Sequence, residues 1–453
     1  MPEKHAFFPY RISINGANLY SKFITNFHPA YFILNMGMGV TANILENDYP
    51  ILRRFFYDVS LIFFVINVFV FIVLIAAFCI AIARNPWLRT RRWFINPSLA
   101  GFLGCLSMGF TTIINYIHAI TGTKVIVFVY ALWWINVVTS LFTCFVITSF
   151  YFVPPLDQNR ETNKYANKIT PQTLNSPLLL PVVPMMVVAS AGNVIWPSLP
   201  AQLQFSTLLV TAMLWSVAMA LAFMLMAIYL WKLYVYKFPV KCMVFTGFLP
   251  VGVLGQSSYG VLILGRNVFA FMTQESHKYL SIFMMEGLTN TPNAVLYLCW
   301  GLRYLTVFVS LFLMSLGFFF TFIALFSIAY YIMVSPQNNS ITGWRWIAYH
   351  KGFWSMTFPL GTMALSLLEN HKTFPHILFF KIAGLMYSLS LLFVVLGCMM
   401  GVVYEFPWRD LYRPYESAAS GHDSDGKDEL TMTSSDGTDH SGCQEERPAV
   451  TMV

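Results

Sequence analysis

Small polar side chains recur along this chain inside stretches otherwise built from Leu, Ile, Val and Phe. They fall on alternate stretches: Asn35, Thr41 and Asn43; Ser107, Thr111, Thr112 and Asn115; Ser190 and Asn193; Gln256, Ser257 and Ser258; and Ser355, Thr357 and Thr362. Amides and hydroxyls offer donors without formal charge, suited to stabilising a small anion without trapping it. The same stretches hold Pro181, Pro184, Pro250, Pro359 and Gly361. Proline lacks the backbone donor and clashes with the preceding turn, so these residues should kink or part a helix. In hydrocarbon such a break is tolerated only where the freed backbone faces protein or a water-filled cavity. The run from Gly352 to Gly361 joins both features, and it sets Phe358 beside the break as a candidate gate.

The elements that would position these residues follow from composition. Of 453 residues, 57% are hydrophobic, 10% are charged and 42 are Phe. Repeated apolar runs reach the roughly 20 residues needed to cross a bilayer, which places the chain among polytopic membrane proteins. Residues 1–27 lack the charged start, short apolar core and small-residue cleavage site of a signal peptide, so the first span should direct insertion. Five of the seven cysteines (Cys79, Cys105, Cys144, Cys299 and Cys398) lie in or beside apolar runs and read as small buried hydrophobes.

Ten spans are expected, of two kinds in alternation. Five are long and uniformly apolar: Val59 to Ala83, Val125 to Val153, Phe205 to Trp231, Tyr304 to Val334 and Ile377 to Tyr404. The other five are shorter and interrupted: His28 to Leu45, Pro97 to Ile120, Pro177 to Trp196, Met243 to Gly265, and the one beginning near Gly352. The fold expected is an all-α integral membrane protein, with ten transmembrane helices as five hairpins. An inner ring of five broken, pore-lining helices would stand within an outer ring of five lipid-facing helices. Asn35, Asn43, Ser107, Thr111, Asn115, Asn193, Gln256, Ser257, Thr357 and Thr362 are the expected pore-lining residues. Small residues also let helices pack closely in any membrane bundle, which is the plainer account of each helix taken singly.

Charge sets the orientation. The N-terminal tail, the even-numbered connections and the C-terminal tail hold 19 of the 27 Lys and Arg residues, so both termini should be cytoplasmic. Three domains are expected: a cytoplasmic segment over 1–27, the transport domain over 28–404 and a disordered acidic cytoplasmic tail over 405–453. Half of the 20 carboxylates lie beyond residue 408. Ser424, Ser434 and Ser435 beside Asp residues resemble acidic-directed kinase sites, although a plain solvated tail also accounts for them. The sequon at Asn338 falls on a connection assigned to the cytoplasm and should stay unmodified.

Several chemistries are excluded. The five interrupted spans, as bounded above, contain no Lys or Arg, and Glu369 is their one carboxylate. His118 reads as a helix-end anchor or a titrating group, and Arg303 should snorkel outward. His371 and His376 lack companions at metal-ligand spacing, and no nucleophile, base and orienter can be assembled. No metal, cofactor, nucleic acid or enzymatic activity is therefore expected.

Motifs on all five interrupted spans carry a family resemblance. They are His28-Pro29-Ala30-Tyr31-Phe32 with Met36-Gly37-Met38-Gly39-Val40; Phe102-Leu103-Gly104 with Met108-Gly109-Phe110; Leu180-Pro181-Val182-Val183-Pro184; Gly247-Phe248-Leu249-Pro250-Val251-Gly252 with Leu254-Gly255-Gln256; and Phe353-Trp354 with Thr357-Phe358-Pro359-Leu360-Gly361. Over about Pro29 to Tyr404 the chain resembles the tellurite-resistance/dicarboxylate transporter superfamily, and within it is most similar to the fungal sulfite efflux pumps, relatives of plant slow anion channels. The resemblance implies five hairpins around a central pore, a homotrimer with one pore per subunit, and an aromatic gate from the ninth span. It further implies a multi-pass plasma-membrane protein exporting sulfite, bisulfite or a similar small inorganic anion through the lipid bilayer. A malate or dicarboxylate permease, or an anion channel of the same fold, is the alternative.

Overall fold

The structure is a computed structural model and describes residues 12–14, 23–24, 27–47, 53–86, 93–94, 97–152, 171, 174–239, 241–274, 294–333, 349, 351–405 and 412–414. The sequon at Asn338 and the three tail serines lie outside the described residues.

Among the described residues there are ten helices of 13 or more residues. They are α1 (Phe32–Asn47), α2 (Arg53–Arg84), α3 (Leu103–Thr121), α4 (Ile126–Leu141), α5 (Val183–Ile195), α6 (Ala201–Tyr236), α7 (Leu249–Gln274), α8 (Ala294–Met333), α9 (Thr357–Thr373) and α10 (Leu378–Glu405). A π-helical segment, Phe142–Ile147, continues α4. Seven helices are long and apolar enough to cross a membrane: α2, α3, α4 with its continuation, α6, α7, α8 and α10. The other three are short. Helix α5, at 13 residues, rises only about 20 Å.

Burial separates the two kinds. The most apolar stretch of α7 is 94% buried, whereas that of α2 or α10 is 28% buried. Twelve residues of α5 and thirteen of α9 are buried as well. The even-numbered helices turn large apolar side chains such as Phe69, Phe223, Phe308, Phe322 and Phe393 outward, which is stable only against hydrocarbon or another apolar surface.

Each odd helix packs on the even helix that follows it, and the odd helices also pack on one another. Their contacts run from α1 to α3, α5, α7 and α9, and α9 packs back on α1. Outer tryptophans tie the two kinds together. Trp133 Nε1 on α4 donates to the Val188 carbonyl on α5 at 2.9 Å, and Trp215 Nε1 on α6 donates to that of Ser257 on α7 at 3.1 Å.

The helix breaks have a common form. Short 3-10 segments lead into four odd helices: Pro29–Tyr31 before α1, Ser176–Leu179 before α5, Lys241–Phe248 before α7 and Lys351–Met356 before α9. A single helical turn, Pro97–Ala100, precedes α3. Pro184, Pro250 and Pro359 stand in the first turn of their α-helices and Pro181 just ahead of α5. The first-turn N–H groups have no intrahelical acceptor, so proline costs little there and marks the change from 3-10 to α winding. Pro359 thus parts the chain at the start of α9 and does not bend the helix at its middle. Gly361 lies two residues on, and a Cβ there would stand 2.7 Å from Val40 Cγ2.

A strand β1 (Ile12–Ile14) pairs antiparallel with β2 (Tyr412–Pro414), Ser13 opposite Arg413. This pairing brings residues 12–14 beside residues 412–414.

Candidate functional site

The candidate site is drawn from the arc of each odd helix that lies between its contacts to neighbouring helices, here its free arc, whose residues are themselves largely buried. On α9, Thr357 and Gly361 abut α1 at Gly37 and Val40, while Pro359 and Thr362 abut α7 at Gly252 and Gly255. Met363 meets Gly317 on α8, Asn370 donates to Ser310 Oγ at 3.1 Å, and Leu367 and Leu368 lie against Gly384 on α10. At 3.6 residues per turn, the arc between the α1 and α7 contacts carries Phe358, Leu365, Glu369 and Lys372. Phe358 is buried and stacks on no other ring among the described residues.

Helix α7 divides in the same way. Ser257 and Gly260 face α5 at Met186 and Ser190, Gly255 and Ser258 face α9 at Thr362 and Ser366, and Gly265 faces Thr306 on α8. The stripe that begins at Gly252, which packs on Pro359, goes on as the free arc with Gln256, Ile263 and Arg266. The Gln256 amide has no hydrogen-bond partner among the described residues, although the residue is only 5% exposed.

On α3, Gly104 abuts the entry to α5, and Gly109 and Thr112 abut α1. Ser107 and Thr111 are taken up by α4: Ser107 Oγ donates to Asn136 Oδ1 at 2.7 Å, and Asn136 Nδ2 donates to Thr111 Oγ1 at 2.7 Å. Met108 and Asn115 occupy the free arc, and Asn115 Oδ1 is buried without a hydrogen-bond partner among the described residues. On α5 the free arc is apolar, with Val183, Val187 and Val194.

The sequence-expected residues therefore divide into two groups. Asn115, Gln256 and Phe358 lie on the free arcs, and Asn43 lies on α1 beside α3. Asn43 also bridges inner helices, its Nδ2 donating to the Thr112 carbonyl at 2.9 Å. The rest serve helix packing: Asn35 donates to the Asn67 carbonyl on α2 at 2.9 Å, Asn193 accepts from Thr211 on α6 at 3.1 Å, and Ser257 turns to Met186 Sδ. Thr357 donates to the Trp354 carbonyl at 2.8 Å, and Thr362 donates to that of Gly252 at 3.2 Å. Sequence reasoning missed Ile263 and Leu365 on these arcs, because apolar side chains in an apolar chain carry no signal of their own.

Charge is where the structure corrects the sequence. Helix α7 runs on to Gln274 and so includes Arg266, and α9 includes Lys372, so the odd helices do carry basic residues. Arg266 is ion-paired and hydrogen-bonded to Glu369 Oε1, and Lys372 Nζ lies 3.1 Å from Glu369 Oε2. Arg303 does not snorkel outward: its Nη1 donates to the Leu262 carbonyl of α7 at 2.7 Å. It is drawn in because that carbonyl and Thr373 offer it acceptors beside the carboxylate. His118 acts as a helix-end anchor, its Nε2 3.0 Å from Ser198 Oγ. No group of metal-ligating side chains occurs among the described residues.

These features define a multi-pass integral membrane protein built of long apolar helices. Residues 26–403 match the family described as "SLAC1: Voltage-dependent anion channel", and the chain belongs to that family. It is 35% identical over 392 residues to the sulfite efflux pump SSU1 of Candida albicans, covering 84% of this chain and 75% of that protein. Sulfite efflux pumps of Saccharomyces cerevisiae (28% identity, 86% of this chain and 90% of the relative) and Trichophyton rubrum (27%, 84% and 90%) are also similar.

Proposed function

We propose that the protein exports sulfite, or a similar small anion, across the plasma membrane through a path between the five odd helices, with Phe358 as its gate. The observation that carries this reading is the closed sequence of contacts from α1 through α9 back to α1, with Phe358 on the inward arc of α9. It is supported by the family, whose printed description is an anion channel, and by relatives named for sulfite efflux.

In this reading the ten helices form five hairpins, inner ring within outer, and the subunit works in a homotrimer with both termini cytoplasmic. The pairing of β1 with β2 supports placing both ends on one side. The five odd helices then enter from that side, so their N-terminal dipoles and 3-10 N–H groups draw anions to the mouth without a fixed charge. Beyond the mouth, Val187, Met108, Ile263 and Leu365 narrow the path, and Gln256 and Asn115 supply neutral hydrogen-bonding groups. Phe358 plugs the constriction by bulk and keeps water out. A dicarboxylate, carrying two charges, would need fixed cations along the whole path. None stands on the free arcs between Phe358 and Arg266.

The test is in cells lacking the protein. They should become sensitive to sulfite and regain resistance with the parent gene, while malate uptake stays unchanged; the opposite pattern would establish the dicarboxylate reading.

A further inference from the structure

One charged cluster lies outside the gate and the neutral path. Glu369, on the same arc of α9 as Phe358 and eleven residues further along, stands about 16 Å beyond it by helical rise. The carboxylate is buried, yet both its oxygens are held by cations from the solvent side: Arg266 of α7 and Lys372 of α9, whose side chains are 50% and 58% exposed. Arg303 lies close enough to interact electrostatically with both Arg266 and Glu369. Three cations gather around one carboxylate, leaving this cluster an excess of two positive charges.

We propose that Arg266 and Lys372 form an oxyanion-binding site at the mouth opposite the Phe358 end, with Glu369 as a built-in competitor for the same donors. The site takes a small oxyanion of the sulfite or sulfate type. Arg266 gives one Nη to Glu369 and keeps its remaining N–H groups toward solvent, and Lys372 has two further ammonium protons to give. An anion that has crossed the apolar constriction meets its first fixed positive charges here. Because Glu369 already occupies part of each cation, the anion is held loosely and leaves. A cationic mouth without the carboxylate would retain it.

This rests on the proposed anion path, so binding and transport are measured separately. Purified protein in detergent is titrated with sodium sulfate and with sodium sulfite against gluconate of equal ionic strength, and thermal stabilisation reports binding. The double variant Arg266→Gln with Lys372→Gln should bind both about tenfold more weakly, and Glu369→Gln about threefold to tenfold more tightly, the scale of one charge-assisted hydrogen bond partly screened by water. In proteoliposomes Glu369→Gln should also lower sulfite efflux at saturating substrate, through slower release. Should the buried Glu369→Gln fail to fold, Lys372→Gln alone, at a half-exposed side chain, still predicts weaker binding. Equal affinity in the parent and the cation variants, or no saturable binding by the parent, overturns the site even if export is intact. Sulfate binding that follows these variants in a parent unable to export sulfite would instead keep the site and overturn the proposed function.

Discussion

Phe358 is flanked on its own turn by residues with evident packing work. Thr357 fits against Gly37 and Pro359 against Gly252, while the phenyl ring between them stacks on no other ring among the described residues. A core phenylalanine cut to alanine leaves a cavity and costs about 3–5 kcal/mol, lowering protein level and activity together. A plug cut to alanine opens the path. Phe358→Ala should therefore conduct more anion per molecule at the membrane than the parent. Flux measured against surface abundance checks this, and a loss of flux at normal abundance removes Phe358 as the gate. A second prediction sets one glycine against another. A Cβ on Gly104 would lie 2.2 Å from the Leu180 carbonyl oxygen, a backbone atom that cannot step aside, whereas one on Gly397 would meet nothing within 4 Å. Gly104→Ala should destabilise by about 1–3 kcal/mol through overpacking. Gly397→Ala should be neutral or stabilise by about 0.5–1 kcal/mol through the entropy of the unfolded chain. Thermal melting in detergent separates the two.

At the scale of the helix, the face decides accessibility. Cysteines introduced at Ile263 and Leu365, on free arcs, should react with small water-soluble thiol reagents, and faster when Phe358 is alanine. Cysteines at Ser257 and Thr362, on the same two helices but packed against neighbours, should not, and neither should one at Phe322 on the outward face of α8. Labelling that followed the helix regardless of face would contradict the arc assignment. The short α1, α5 and α9 belong at this scale too. A 13-residue helix cannot cross about 30 Å of hydrocarbon alone. With the protein of its neighbours around it, its ends and its 3-10 lead-in need not meet lipid.

For the molecule as a whole, the apolar surfaces divide cleanly: odd helices inside, even helices carrying exposed Phe, Leu and Ile. That surface needs lipid or further subunits, in keeping with the membrane family to which the chain belongs. The chain beyond about residue 415 has no aromatic residue and only scattered apolar ones with which to join that packing. Truncation there should leave sulfite efflux and surface abundance unchanged; loss of efflux from a protein still reaching the surface would make the tail part of the mechanism.

The sequence alone determined the membrane class, ten helical segments and their alternation, because composition and run length are local properties that every residue reports. Its motifs also reached the family. It could not say which face of each odd helix is free. Ser107 and Gln256 look alike in sequence, yet Ser107 is consumed by Asn136 and Gln256 is left without a partner among the described residues. Position around a helix is fixed only by what packs on the other sides, so tertiary structure chose among the polar residues and added the unremarkable Ile263 and Leu365. It also gathered Arg266, Arg303, Glu369 and Lys372, from three helices, into one cluster. Each reads alone as a charge near a span end, and only their approach across more than a hundred residues of chain, Arg266 to Glu369, makes them one cluster, the basis of the proposed anion site.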